Sequence, residues 1–245
     1  MEAGVFENHF SLVVPTLNEA GNIDQLLTAL TDALRETPYE YEIVVVDDGS
    51  TDGTVERVRD WTKRDARVRL FSRTGERGLA GAVLYGWGQS RANLLGVIDA
   101  DLQHPPELLP ELLKRTEHAD IAIASRYARN QGTKGWNPLR AAVSRLSTLA
   151  AAPLISKKNL QVTDPMSGFF VIRRRCIEGL TFQTTGFKLL LEILVRGRIR
   201  TVGEVPYQFG LRRAGRSKAS ASVAFHYLHL LGRLSRDLVL RSSEP

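Results

Sequence analysis

The chain has 245 residues, 43% apolar and 24% charged, a make-up that fits one large soluble α/β domain with a sizeable core. A net charge of +6 and a pI near 9.7 point to an anionic partner: a nucleotide, a lipid phosphate, a membrane surface or nucleic acid. Cys176 is the single cysteine, which excludes a disulfide framework and a cysteine cluster for zinc or iron–sulfur, and reads as a small core residue.

The opening MEAGVFENHF lacks a basic region followed by an apolar core, and no stretch approaches the roughly 20 apolar residues of a membrane span. The cytoplasm is the expected location. Phe10 to Val14 reads as a strand stopped by Pro15, and Thr16 to Glu19 as a loop. Ile23, Leu26, Leu27, Leu30 and Leu34 recur at helical spacing, with Asn22 and Gln25 placed like a capping box. Tyr41 to Val46 is a buried strand ending in Asp47-Asp48-Gly49-Ser50; helix signals resume at Val55 and Val58, and Val68 to Phe71 is a third strand. Strand and helix alternating at this spacing predict a parallel sheet with helices on both faces, whose ligands sit at the carboxyl ends of the strands.

Gly75, Gly78, Gly81, Gly86 and Gly88 form a loose series entering a helix. It does not match the dinucleotide fingerprint, and close packing is as good a reading as phosphate cradling. Leu94 to Ile98 is the length of a buried central strand. Alternation then predicts that Asp99 and Asp101 leave the sheet pointing the same way, where they repel unless a hard divalent cation lies between them. His104, before the helix that Pro105-Pro106 starts, reads as a ligand or a structural residue. Asp120 to Ser125 is another strand, followed by Arg126-Tyr127 and a glycine- and proline-bearing basic loop over residues 128–138. Arg140 and Ser144, four apart, share a helix face. Residues 162–168 form a turn-rich stretch before a strand from Phe169 to Ile172, and Gly186-Phe187-Lys188 begins a helix. Val202 to Phe209 is the last strand, and residues 211–218 form a basic loop. No internal repeat, low-complexity tract or linker is visible.

Taken together, VVPTLNE, VVVDDGSTDGT, VIDADLQHPPE, SRY, TDPMSGFF, GFK, EVPYQF and LRRAGRSK, in this order, resemble the inverting GT-A glycosyltransferases, most closely the dolichol-phosphate mannose synthases. The resemblance implies the GT-A nucleotide-diphospho-sugar transferase fold over residues 1–220, a mostly parallel twisted sheet, with a C-terminal amphipathic helix and tail over 221–245. It implies that Pro15, Asn18, Glu19, Asp47 and Asp48 line the nucleotide pocket. Asp99, Asp101 and Gln103 would hold Mg²⁺ or Mn²⁺ on the donor diphosphate, GDP-mannose by this resemblance. Arg126, Arg140 and Ser144 match positions that bind the phosphate of a dolichyl or other polyprenyl phosphate, and Lys188, Arg212, Ser217 and Lys218 those that close over the diphosphate. The chain departs from the pattern where the family's usual Ser-Arg-Gly-Ala-Asn run reads Ser144-Arg145-Leu146-Ser147-Thr148. The resemblance also implies a membrane surface or a membrane-anchoring subunit as partner, at the cytoplasmic face, and no nucleic acid.

The chemistry narrows the acceptor. A sugar hydroxyl must lose a proton and needs a placed base, whereas a lipid monophosphate, with its second pKa near 6, is already largely dianionic and needs arginine forks. Asp164 is the one strong base candidate, and orienting an arginine is an equally good role for it. A related transferase using UDP-glucose or another sugar, on a polyprenyl phosphate or a hydroxyl, is the nearest alternative. A haloacid-dehalogenase-type phosphatase would carry its Asp-X-Asp on the first strand. A nucleotidyltransferase would carry a glycine-rich loop where PTLNE stands. A non-enzymatic subunit would tolerate loss of the metal acids. In the tail, Ala224, Tyr227, Leu228, Leu231, Leu234 and Leu238 recur at helical spacing beside His226, His229, Arg233 and Arg236. That helix either docks on the protein's own core or lies on a membrane with its apolar face down.

Overall fold

Buried strands with apolar side chains on both faces need helices on both faces, and this chain supplies them in sequence order. A computed structural model describes residues 6–75, 78–128, 138–182, 188–208 and 221–242. Its strands are β1 (Phe6–Thr16), β2 (Glu40–Asp47), β3 (Val68–Ser72), β4 (Ala92–Val97), β5 (Ile121–Ser125), β6 (Phe170–Arg173) and β7 (Val202–Pro206). Its helices are α1 (Ile23–Arg35), α2 (Thr54–Arg64), α3 (Leu79–Gly88), α4 (Leu109–Arg115), α5 (Pro138–Ser156), α6 (Leu189–Arg196) and α7 (Ala221–Ser242). The strands form one sheet in the order β3-β2-β1-β4-β6-β5-β7.

Alternate residues of the strands feed two cores. Phe10, Leu12, Val14, Ile43 and Val45 face α1, α2 and α4, with Leu26, Leu30 and Leu112 against them. Val13, Val44, Val46, Leu95 and Val97 face the other way, onto side chains of α3, α5, α6 and α7. One glycine of α3 serves this packing. A Cβ on Gly86 would stand 2.7 Å from the Val13 side chain and 3.0 Å from that of Val46, so the helix can lie this close only with glycine there.

The sheet is mostly parallel, as expected, and β6 alone among these strands runs antiparallel, to both β4 and β5; Val97 pairs with Phe170, and Ile123 with the same residue from the other side. The loop before β6 is thereby delivered to the edge where β4 and β5 end. Pro15 does not stop β1, which continues to Thr16. Pairing with β4 ends at Val13, so β1 is an edge at Pro15 on that side, where a missing N–H is tolerated. The capping box is not formed either. Asn22 already has helical angles, its amide nitrogen donates to Glu19 Oε2 at 2.9 Å, and the Glu19 carbonyl accepts from the N–H groups of Asn22 and Ile23. The last strand ends at Pro206, not Phe209, which lies outside the described residues.

α7 uses its apolar side on the protein itself. Tyr227, Leu230, Leu234 and Leu238 join the core shared with α5 and α6, the Tyr227 hydroxyl donates to the Ser147 carbonyl, and Arg196 pairs with Asp237. Leu228, expected on the apolar face, is 65% exposed; the buried face is turned toward Leu230. Leu234→Ala should therefore lower the unfolding free energy by about 2–5 kcal/mol. Leu228→Ala should change it by no more than about 0.5 kcal/mol. Urea unfolding of both variants checks this, and equal effects would remove the docking face assigned to α7.

Candidate active site

β1, β2 and β4 end side by side, and a polar loop follows each. The loops after β1 and β2 are fastened together. Asn18 takes a left-handed conformation (φ 60°), which asparagine tolerates, and its Oδ1 accepts from the Thr51 N–H at 2.9 Å. Its own N–H donates to Ser50 Oγ at 2.8 Å, and the Glu19 N–H to Thr54 Oγ1 at 2.9 Å. Asp47, fully buried, accepts from Thr16 Oγ1, from the N–H groups of Gly49 and Ser50, and from the Ser50 hydroxyl. Asp48 takes a two-pronged bond from Arg73 (2.7 and 3.0 Å) and the Gly78 N–H at 2.8 Å. These two acids tie β2, β3 and the start of α3 into a fixed rim, on which Asn18 is exposed and Pro15 and Glu19 half-buried.

The strand expected to carry Asp99 and Asp101 outward ends at Val97, before either acid. They lie instead around a turn that continues through Leu102 in a left-handed conformation (φ 58°), so turn geometry and not strand alternation sets their directions. Asp101 is buried and its Oδ1 accepts the Gln103 N–H at 3.1 Å. Asp99 has its Oδ1 buried with no hydrogen-bond partner, while its Oδ2 lies 3.6 Å from His104 Nε2. A Cβ on Gly168 would stand 2.5 Å from that same Oδ2. Among the described residues no three acidic, histidine or cysteine side chains cluster as a metal cage. Asp99, with an unsatisfied buried oxygen, Asp101 and Gln103 on the same turn carry only oxygen donors of the kind such a site would use. That set fits a hard divalent cation whose other positions are filled from outside the protein.

Beside this turn stands a buried ion pair. Arg126 Nε and Nη2 each lie 2.7 Å from an oxygen of Asp164, and the Arg126 N–H donates to Asp164 Oδ2 at 3.0 Å. Asp164 is fully buried. Its loop is held in turn by Glu204 of β7, which accepts from the N–H groups of Thr163 and Asp164 and from the Thr163 hydroxyl. Burial works against the Arg126 charge, but the hydrogen bonds and charge of Asp164 outweigh it and push the guanidinium further up. Lys188, at the start of α6, is pulled below the ordinary lysine range by burial and by the neighbouring Arg126. The Arg126 guanidinium lies 5.5 Å from the centre of the Tyr127 ring, and the Tyr127 hydroxyl donates to Ser144 Oγ at 2.6 Å. Asp164, Arg126, Tyr127 and Ser144 thus form one connected line.

Among the sequence-predicted residues, Asp99, Asp101, Gln103, Arg126, Asp164 and Lys188 belong to the loops on this side of the sheet, and Ser144, inside α5, is reached by the Tyr127 hydroxyl. Arg140 lies in the first turn of α5, but its side chain, together with Arg212, Ser217 and Lys218, falls outside the described residues. Sequence reasoning left His104 open and missed Arg73, Tyr127, Glu204 and Tyr207. Glu204 and Tyr207 stood within EVPYQF, but nothing local says that β7 pairs with β5 and brings them here.

Residues 11–181 match glycosyl transferase family 2. The chain is 37% identical over 227 residues to the dolichol-phosphate mannosyltransferase of Pyrococcus furiosus, covering 92% of this chain and 63% of that relative's length. It is 36% identical over 235 residues to the Saccharomyces cerevisiae protein of the same name, covering 92% of this chain and 86% of the relative. The Mycosarcoma maydis counterpart is also 36% identical, with 79% of its length covered. Among solved structures, glucosyl-3-phosphoglycerate synthase from Mycobacterium tuberculosis with Mn²⁺, UDP-glucose and phosphoglyceric acid superposes with a TM-score of 0.67 at 20% identity, over 93% of this chain and 80% of that one. That likeness establishes the glycosyltransferase fold. With sequence, fold and the disposition of acids and cations in agreement, the chain belongs to glycosyl transferase family 2, among the dolichol-phosphate mannosyltransferases.

Proposed function

We propose that the protein transfers mannose from GDP-mannose to the phosphate of dolichol or another polyprenyl phosphate, with inversion at the anomeric carbon and with Mg²⁺ or Mn²⁺ bound. The observation that carries this reading is the commitment of both Asp164 oxygens to Arg126. An acid so engaged orients an arginine and has no role as base toward a hydroxyl. An acceptor that arrives as an anion needs no base, and a phosphate monoester is such an acceptor. Names of relatives supply the sugar and the lipid: the proteins matched at 36–37% identity are dolichol-phosphate mannosyltransferases.

In this reading a phosphate oxygen of the lipid forms a bond to the sugar's anomeric carbon, while the bond from that carbon to the donor diphosphate breaks and its electron pair leaves with GDP. Asp99, Asp101 and Gln103 would hold the cation, whose charge stabilises the departing diphosphate. Lys188 adds positive charge on the same side, and Arg212, Ser217 and Lys218 are assigned there by resemblance. Arg126, held rigid by Asp164, and Ser144, bonded to Tyr127, position the acceptor phosphate with Arg140. The rim of Pro15, Asn18 and Glu19 receives the nucleotide, its shape kept by Asp47 and Asp48.

Peripheral membrane binding is part of the proposal, though not through the apolar face of α7, which packs on the core. No helix among the described residues is long and apolar enough to cross a membrane. Val143, Leu146 and Leu149 on α5 are 54%, 64% and 65% exposed, with Arg145 exposed beside them and Leu228 exposed on the neighbouring α7. Ser144 belongs to the same helix. An apolar, basic surface next to the acceptor site suits a substrate whose chain stays in an anionic bilayer.

The defining test is incubation with Mn²⁺, polyprenyl phosphate and labelled GDP-mannose or UDP-glucose. Label is expected in the organic phase from GDP-mannose; label from UDP-glucose alone would replace the sugar assigned. Asp101→Asn should lower turnover about 10³-fold, equivalent to several kcal/mol of lost charge stabilisation. Arg126→Lys keeps a charge opposite Asp164 but loses the fork. It should raise the KM for polyprenyl phosphate about 10–100-fold, the worth of one charged hydrogen bond. GDP-mannose affinity by calorimetry should be nearly unchanged, and the reverse pattern would move Arg126 to the donor site. Leu146→Ser combined with Leu149→Ser should weaken sedimentation with anionic vesicles by at least about tenfold, at about 1.5 kcal/mol per buried side chain. Unchanged sedimentation of that folded variant would exclude α5 as the membrane face.

A further inference from the structure

Asp99 is gripped from two sides by residues with no assigned role. His104 is 2% exposed, and its ring is fixed by two aromatics: Phe169 edge-on (centroids 5.7 Å apart, planes at 71°) and Tyr207 tilted against it (5.5 Å, 38°). The Tyr207 hydroxyl lies 2.8 Å from Nδ1 of the imidazole. Tyr207 is itself buried in the loop after β7, its N–H bonded to the Ser125 carbonyl at 3.1 Å. The tautomer that carries its hydrogen on Nε2, toward Asp99, is the one in which the Tyr207 hydroxyl donates to Nδ1. Nε2 is the nitrogen 3.6 Å from Asp99 Oδ2, an electrostatic contact longer than a hydrogen bond. On the other flank is Gly168, where a Cβ would stand 2.5 Å from the same Oδ2 and 3.0 Å from the carboxyl carbon. Oδ1, buried without a hydrogen-bond partner, lies 3.2 Å from the same Cβ position, so the placement of both carboxylate oxygens depends on these two flanks.

We infer that His104, backed by Tyr207 and opposed by Gly168, is a positioning residue that sets the direction of the Asp99 carboxylate and so the strength of divalent-cation binding. The inference rests on the reading of Asp99 as a cation-holding group. Carboxylates that hold metals are commonly oriented by such an outer partner, whose loss costs about 10–100-fold in metal affinity. A plain packing role for the histidine ring is the competing account, and the two separate experimentally. His104→Phe keeps an aromatic ring between Phe169 and Tyr207 but has no N–H toward Asp99. His104→Gln loses the ring and keeps an amide donor.

The test is titration of the full chain with Mn²⁺, GDP held constant, free Mn²⁺ being read by electron paramagnetic resonance. No turnover enters the measurement, and thermal unfolding confirms that each variant is folded. His104→Phe should raise the Mn²⁺ dissociation constant about 10–100-fold, and His104→Gln should restore much of the loss. Gly168→Ala, acting from the opposite flank, should weaken Mn²⁺ by a similar factor and keeps the question open to test should His104→Phe fail to fold. Asp99→Asn and Asp101→Asn serve as references. If they abolish Mn²⁺ binding while His104→Phe and Gly168→Ala bind like the parent, the positioning role is overturned and the cation site stands. If the two asparagine variants bind Mn²⁺ unchanged, the cation site lies elsewhere and the inference falls with it.

Discussion

Because β6 enters the sheet antiparallel between β4 and β5, the loop that precedes it meets the loops that follow its neighbours. In an all-parallel sheet the stretch from Thr163 to Gly168 would lie at the far edge from Asp99 and Arg126. Here it supplies Asp164 to one and Gly168 to the other. β7, parallel to β5, adds Glu204 behind Asp164 and Tyr207 behind His104. One reversed strand therefore joins what would otherwise be two unrelated loops, the turn of Asp99 and Asp101 after β4 and the Arg126–Asp164 pair after β5.

The Arg126–Asp164 pair illustrates how little of this arrangement is explained by stability. Taking both charges out of water costs several kcal/mol per ion, and mutual attraction repays that only with good geometry. The geometry is good: two 2.7 Å bonds, a backbone N–H, and Glu204 fixing the loop. Even so, an apolar pair of similar volume would hold the sheet at least as well. What an apolar pair lacks is a guanidinium held still beside Tyr127 and Ser144, and preorganised cations lose little on meeting a phosphate.

Much of this was legible in the sequence, for identifiable reasons. Continuous apolar runs such as Tyr41 to Val46 mark strands buried on both faces, and acids at their ends mark the ligand side of the sheet. The direction of β6 was not legible, since a run such as Phe169 to Ile172 reads the same in a parallel or an antiparallel strand. The apolar face of α7 was found only roughly: Tyr227, Leu234 and Leu238 were placed, but Leu228 and Leu230 both satisfy helical spacing. Contact with α5 and α6 decides between them. The sequence reading left the role of His104 open because Tyr207 lies 103 residues further along the chain. Position in a motif placed these residues in a loop, while the partners they meet there depended on strand pairing that no local pattern encodes.

The two halves of the site differ in how their charges are settled. After β5, Arg126 and Asp164 compensate each other's charge within the protein. At the turn after β4 the account is left open: Asp99 and Asp101 share one turn, an Asp99 oxygen is buried without a hydrogen bond, and Lys188 is held below its ordinary range. An unsatisfied buried oxygen costs about 1–3 kcal/mol, a cost that a bound cation relieves in the folded chain alone. Binding that favours the folded state stabilises it in proportion to ligand concentration. The same atoms that weaken this turn in isolation are therefore the ones through which a cation and a diphosphate would tighten it, whereas the Arg126–Asp164 pair already has its charges balanced.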